Sequence, residues 1–243
     1  MNNCDSDKII GKISSIETMG LVDGPGVRTV IFMQGCPLRC KYCHNPETWD
    51  PLRQGYEYTP EELAACILRY KNYMKHGGVT FSGGEPLLQA EFLSLTSEIL
   101  KKNEIHICLD TSGAVTESPE DLPGILSLIK QTDLVILDLK AVDPAQYKEI
   151  TGKRMEPFLA FLELLQHKNK KLWLRTVIVP GINNEPSQIA AIQKFANRIK
   201  NVEKIEFLPY HKMVQKYQKL GISYPLEGTP ELTEDEIQYP KGL

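Results

Sequence analysis

Residues 28–44 read RTVIFMQGCPLRCKYCH, a short β-branched and apolar run that stops at glycine and then sets Cys36, Cys40 and Cys43 within eight residues. An unbroken apolar run of this kind suits a strand covered on both faces, as in parallel sheets flanked by helices. The cysteines come at once, where the strand gives way to a loop. Spaced C-x3-C-x2-C, three thiolates wrap one face of a cubane iron-sulfur cluster from a single loop. Ferredoxin-type carriers give each cluster four cysteines, so three leave one iron open, which points to substrate binding rather than plain electron transfer. The alternative is a zinc site completed by His44 as Cys3His, for which the adjacent Cys43 and His44 would have to aim at one small ion.

The same alternation continues to the end of the chain. Strands are predicted at RTVIFMQG, GVTFSGG, IHICLDTSG, DLVILDLKAV, KLWLRTVIVPG and VEKIEFLPY. Helices are predicted at Pro60 to Lys75, Leu88 to Asn103, Leu122 to Gln131, Pro144 to Ile150 with Glu156 to His167, and Pro186 to Ile199. Thr59 before Pro60, Glu61 and Glu62 is a helix start: a hydroxyl cap, proline in the first turn and acids near the positive end. Six βα units in sequence imply an α/β fold with a parallel sheet. In such folds the chemistry sits on the loops after the strands. Here six strand ends carry groups that a plain core would not choose: GCPLRCKYCH, SGGEP, DTSG, DLK, RTVIVPG and LPYH.

Composition bounds the possibilities. With 243 residues, 42% hydrophobic and 24% charged, the chain can bury a core without disulfides, and one domain is expected. A net charge of -3 gives no general attraction for nucleic acid or anionic lipid, so neither is an expected partner. The first residues lack the pattern of a signal peptide and no apolar run reaches 18 residues, so a cytoplasmic protein is expected. In a reducing compartment a tight cysteine trio reads as metal ligands. Cys66 and Cys108 read as small buried hydrophobes, and Cys4 is given no role.

At the cysteine loop the chain resembles the radical S-adenosylmethionine superfamily, and CPLRCKYCHNPETWD looks like the signature of pyruvate formate-lyase activating enzymes. The resemblance extends through IETMGLVDGPGVRTVIFMQGC, GGVTFSGGEPLLQAEF, ICLDTSG, TDLVILDLK, WLRTVIVPG and NVEKIEFLPYH. It implies a partial (β/α)6 barrel of the radical SAM type, with an N-terminal segment 1–26, a barrel core 27–211 and a C-terminal extension 212–243. It implies one 4Fe-4S cluster on Cys36, Cys40 and Cys43, with S-adenosylmethionine chelated to the open iron. Reductive cleavage would give methionine and a 5'-deoxyadenosyl radical, which takes a hydrogen atom from a glycine of pyruvate formate-lyase. Flavodoxin or ferredoxin would supply the electron. Another glycyl radical enzyme as partner, or a zinc-stabilised binding protein without turnover, are the competing readings.

The resemblance also implies residue roles, each beside a plainer one. Tyr42 and His44 flank the last ligand near the cofactor's adenine, although Tyr42 could be packing. Gly83 and Gly84 allow close backbone approach, and Glu85 either meets the cofactor's amine or locks the turn. Asp110, Thr111 and Asp138 line the cofactor site, where a small monovalent cation is also raised; helix capping is the alternative. Leu139 and Lys140 belong to the same contact, Lys140 as a cation for the cofactor's carboxylate or hydroxyls. Arg175 would help at the carboxylate or pair with an acid, and His211 would meet ribose or adenine or face solvent. Asp23 would meet the partner's glycine loop or form a turn. TPELTEDEIQYPKGL departs from the family in offering barely two helical turns before Pro240.

Overall fold

The computed structural model describes residues 9–237. It opens with β1 (Gly11–Gly20), antiparallel to β2 (Arg28–Met33) on one edge and to the three-residue β3 (Tyr56–Tyr58) on the other. From β2 onward every pairing is parallel. After α1 (Pro60–Leu68) come β4 (Gly78–Gly83), α2 (Ala90–Lys102), β5 (His106–Thr111), α3 (Ile125–Gln131) and β6 (Leu134–Asp138). Two helices, α4 (Pro144–Thr151) and α5 (Glu156–His167), lead to β7 (Leu172–Ile178). The chain then runs through α6 (Pro186–Ala196), β8 (Val202–Pro209) and α7 (Val214–Lys219). The order β3-β1-β2-β4-β5-β6-β7-β8 ends in two different strands, so the sheet is a partial, unclosed barrel.

The six parallel strands are those read from the apolar runs, and their side chains explain why. Val30, Ile31, Val79, Phe81, Ile107, Leu109, Val135 and Leu137 are fully buried, as strands covered on both faces require. The N-terminal segment differs from expectation because it contains β1. Its sequence GKISSIETMG is half exposed and interrupted by register shifts, which hides the strand pattern. α1 starts on the expected capping box: Thr59 Oγ1 accepts from the Glu62 N–H at 3.2 Å, and Glu62 Oε2 accepts from the Thr59 N–H at 2.8 Å. It stops at Leu68 rather than Lys75. The buried stripe Leu63, Ala64, Ile67 has ended there, and the exposed Lys71–Tyr73 forms only a 3-10 turn.

The foot of the sheet is closed by Arg28, fully buried at the first position of β2. Its guanidinium donates to Thr80 Oγ1 (2.6 Å), Pro25 O (2.9 Å) and Val79 O (2.6 Å). Cys108 is buried in β5 and Cys66 is half-buried on α1. Near the C-terminus the described residues form one 3-10 turn, Glu234–Glu236, in place of two helical turns, with Ile237 packed on the core. Cys4 and residues 238–243 lie outside the described residues. No helix among the described residues is long and apolar enough to cross a membrane.

Candidate active site

β2 delivers the chain to Gly35, and three elements hold the cysteine loop beyond it. On one side, the last carbonyls of α4 receive the loop: Arg39 N–H donates to Thr151 O (2.9 Å) and Lys41 N–H to Ile150 O (3.0 Å). On another, Gly84 N–H donates to Met33 O (2.9 Å) and Glu85 N–H to Gly35 O (2.8 Å). Gly84 has to be glycine here, since a methyl group on it would lie 2.1 Å from Gly35 O. Gly83, at φ +104°, is the left-handed residue that turns the chain, and its bare Cα faces the β2 backbone. The close approach that SGGEP permits is therefore to the cysteine loop itself. The third element is α7, where Lys216 Nζ donates to His44 O (2.7 Å), Asn45 Oδ1 (3.0 Å) and Glu47 Oε1 (3.0 Å). Tyr217 OH donates to Cys43 O (3.3 Å).

Cys36 and Cys43 pack against a small buried group of Leu38, Cys40 and Ala114, so the three thiols are neighbours in an apolar setting. Burial pushes the Cys40 thiol up to about 12 and raises Cys36 and Cys43 as well. Thiols this reluctant to ionise alone suit a cationic metal group, which deprotonates them on binding. Among the described residues, no three His, Cys, Asp or Glu converge as a single ion demands. A cubane asks for something else, one thiolate on each of three irons. Two buried atoms beside the loop, His44 Nε2 and Tyr42 OH, have no protein partner. These residues fit an iron-sulfur cluster with a bound ligand better than a closed zinc site.

The lumen below is lined with charge. Asp138, Arg175 and Glu206 stand in register on β6, β7 and β8 and so share a face. Arg175 is buried, pairing with Glu206 (3.1 Å), Asp110 (3.5 Å) and Asp23 (3.8 Å) and donating to Val22 O (2.8 Å). Burial opposes its charge, yet Asp110, Asp138 and Glu206 hold it firmly protonated. Asp110 also accepts from Ser82 Oγ (2.8 Å). Burial pushes Asp110 up to about 7 against the pull of Arg175, with Asp138 and Asp23 adding to the rise. Lys140 donates to Asp138 Oδ2 (2.6 Å) and its Nζ stands 5.7 Å from the centre of the Tyr42 ring. Burial would lower Lys140, but Asp138, Tyr42 and Cys40 outweigh it.

The other residues singled out in the sequence take more varied places. Glu85 is fully buried and accepts from Leu87 N (3.1 Å), Thr111 Oγ1 (2.5 Å), Ser112 N (3.0 Å) and Ser112 Oγ (2.5 Å). Both oxygens are occupied by the protein, so Glu85 locks the turn and engages Thr111 in doing so. The Leu139 side chain lies in the main core, and its N–H donates to Arg175 O. His211 is half exposed beside Glu231 at 3.8 Å, yet near enough to His44 to help lower its pKa after burial. Asp23 points inward to Arg175, and its carbonyl accepts from Thr80 Oγ1 (2.6 Å). Sequence reasoning misses Ser82, Ser112, Glu206, Lys216 and Tyr217. In KMVQKYQKL the apolar Met213, Tyr217 and Leu220 recur at helical spacing, but the run is short and carries three lysines.

Comparison with known proteins bears on this arrangement. Residues 30–191 match the radical SAM superfamily. The pyruvate formate-lyase-activating enzyme of Clostridium pasteurianum is 46% identical over 94% of this chain and 94% of its own length. That of Staphylococcus epidermidis is 44% identical over 93% and 91%. Among solved structures, a domain of pyruvate-formate lyase-activating enzyme from Bacteroides vulgatus aligns with TM-score 0.51 at 24% identity, covering 66% of this chain and 88% of that one. A radical SAM methyltransferase from Sphaerobacter thermophilus aligns with TM-score 0.59 at 14% identity, covering 86% and 61%. The cysteine loop, the unclosed sheet and similarity over more than nine-tenths of these relatives together establish that the chain belongs to the radical SAM superfamily and, within it, to the family of pyruvate formate-lyase-activating enzymes.

Proposed function

We propose that this chain activates pyruvate formate-lyase by installing a glycyl radical on it, with Cys36, Cys40 and Cys43 holding a 4Fe-4S cluster. Bound there, the cluster and S-adenosylmethionine would supply a one-electron reductive cleavage that releases methionine and a hydrogen-abstracting 5'-deoxyadenosyl radical. The protein's part is to orient and to exclude water. Lys140, held charged beside Asp138, would neutralise the cofactor's carboxylate, and His44, with Tyr42 and His211, would hold its adenine and ribose. Gly83, Gly84 and Glu85 fix the turn that backs the cysteine loop. A monovalent cation near Asp110, Thr111 and Asp138 belongs to the same reading, with Asp110 and Asp138 as its carboxylates, although Thr111 Oγ1 already donates to Glu85 and Glu206 pairs with both Arg175 and Lys204.

Asp23, in a segment whose neighbours Leu21 and Val22 are exposed, is the residue assigned to meet the partner's glycine loop. Flavodoxin or ferredoxin is the electron donor on this reading, the cytoplasm its compartment, and residues 1–243 a single radical SAM domain. The observation that carries the proposal is three neighbouring thiols on one loop beside a buried His44 Nε2 that no protein group satisfies. Anaerobic incubation with reductant, S-adenosylmethionine and pyruvate formate-lyase should produce a glycyl electron-spin signal. Silence from a chain with a fully assembled cluster would contradict the proposal, and a signal only on another glycyl radical enzyme would reassign its partner.

A further inference from the structure

The cysteine loop is gripped at two ends by different machinery. Its first half, Cys36 to Lys41, is fixed without α7. Arg39 NH1 donates to Cys36 O and Leu38 O at 2.8 Å, and the α4 carbonyls take the Arg39 and Lys41 N–H groups. Its second half, Cys43 to Glu47, is held at Glu47 O by Gln34 Nε2 (3.0 Å) and at Asn45 O by Thr48, and the carbonyl of His44 is held from α7, where one ammonium collects acceptors from three residues, His44, Asn45 and Glu47. Lysine offers three donors and no acceptor, so these three bonds use its whole capacity. α7 is itself firmly seated. Tyr217 is buried, meets Trp49 edge-on at 5.8 Å and Tyr224 at 4.7 Å, and Tyr224 OH bonds Tyr210 OH at 2.7 Å.

We propose that Lys216 is a positioning residue that aims His44 at the bound cofactor, so that it sets affinity for S-adenosylmethionine without being needed to assemble the cluster. The inference rests on the reading that His44 faces the cofactor. Holding the His44 carbonyl and the next two polar side chains fixes the backbone direction from which the imidazole projects, while Nε2 stays buried and unpartnered for a ligand to use. The Lys216 and Glu47 side chains are 42% and 33% exposed, so water reaches the Glu47 oxygen that the ammonium served, and Gln34 still holds the Glu47 carbonyl. Cluster assembly and fold therefore survive its loss, while the aim of His44 does not.

The test uses anaerobically reconstituted holoenzyme, titrated with S-adenosylmethionine and followed by the electron-spin spectrum of the reduced cluster. Lys216→Met is expected to keep the iron and sulfide content of the unaltered chain while weakening binding roughly tenfold, about 1.4 kcal/mol. Lys216→Arg should recover most of the affinity, and Tyr217→Phe, which removes the longer 3.3 Å bond to Cys43 O, should lose less. Unchanged affinity in Lys216→Met with a full cluster overturns the proposal. So does failure of that variant to assemble the cluster, because the clip would then support the ligands and not His44. If the unaltered holoenzyme itself binds no S-adenosylmethionine, the parent reading falls and takes this one with it.

Discussion

The cysteine loop and the lumen beneath it are held by different forces. The first half of the loop is fastened largely by main-chain groups: Gly35 and Met33 carbonyls receive N–H groups from SGGEP, and α4 carbonyls receive N–H groups from Arg39 and Lys41. The lumen is held by charges on side chains, with Arg175 shared among Asp23, Asp110 and Glu206 and Lys140 set against Asp138. Main-chain hydrogen bonds do not titrate, so the first half of the loop should keep its geometry across pH, while the second half also carries the Lys216–Glu47 ion pair. The buried Asp110, pushed up to about 7, does titrate, so the lumen's charge should change there in the neutral range. A site that must hold a cluster rigidly and admit a charged cofactor gains from this division.

The largest expected effect comes from removing one of the three proposed ligands. Cys40→Ala should abolish cluster assembly and glycyl-radical formation while the metal-free chain keeps its thermal transition, measured by iron and sulfide content alongside circular dichroism. A collapse of the fold instead would mean that the loop and the lumen are not separable. Gly84→Ala comes next, because its methyl group must displace the turn from Gly35 O. It should cost about 1–3 kcal/mol in denaturant unfolding and loosen the cluster, read as faster iron loss to a chelator.

Asp110→Asn tests the lumen. A carboxyl whose folded pKa lies near 7, above its usual 3.8, binds its proton more tightly when folded. Its stabilising contribution is present at acid pH and lost as pH rises through about 7. The metal-free chain should therefore lose stability between about pH 4 and 8, and Asp110→Asn should flatten that decline in a Tm-against-pH series. An unchanged slope would remove Asp110 as its source. The smallest effect belongs outside both regions: Thr59→Ala should cost about 1 kcal/mol of unfolding free energy through the α1 cap and leave cofactor affinity alone.

What the sequence makes legible divides along the same line. Cysteine is rare and its spacing is local, so the ligand loop stands out, and strands such as LVILD show themselves through unbroken apolar runs. α5 is bounded at Glu156 and His167 by its own periodicity and proline. Partnerships between side chains distant in sequence are another matter. Nothing in RTVIVPG says that Arg175 reaches back to Asp23, and nothing in SGGEP says that Glu85 is already saturated by Leu87, Thr111 and Ser112. β1 escapes because a half-exposed strand with bulges loses its alternation, and α7 because a six-residue helix with one buried side chain, Tyr217, is too short for its period to stand out.

The central claim is a three-thiolate cluster with an iron left for the cofactor. Metal and sulfide analysis after anaerobic reconstitution, then the reduced-cluster spin spectrum with and without S-adenosylmethionine, tests it directly. The account predicts about four irons and four sulfides per chain and a spectrum that changes when S-adenosylmethionine is added. Zinc in place of iron, or a complete cluster whose spectrum ignores S-adenosylmethionine, would contradict it.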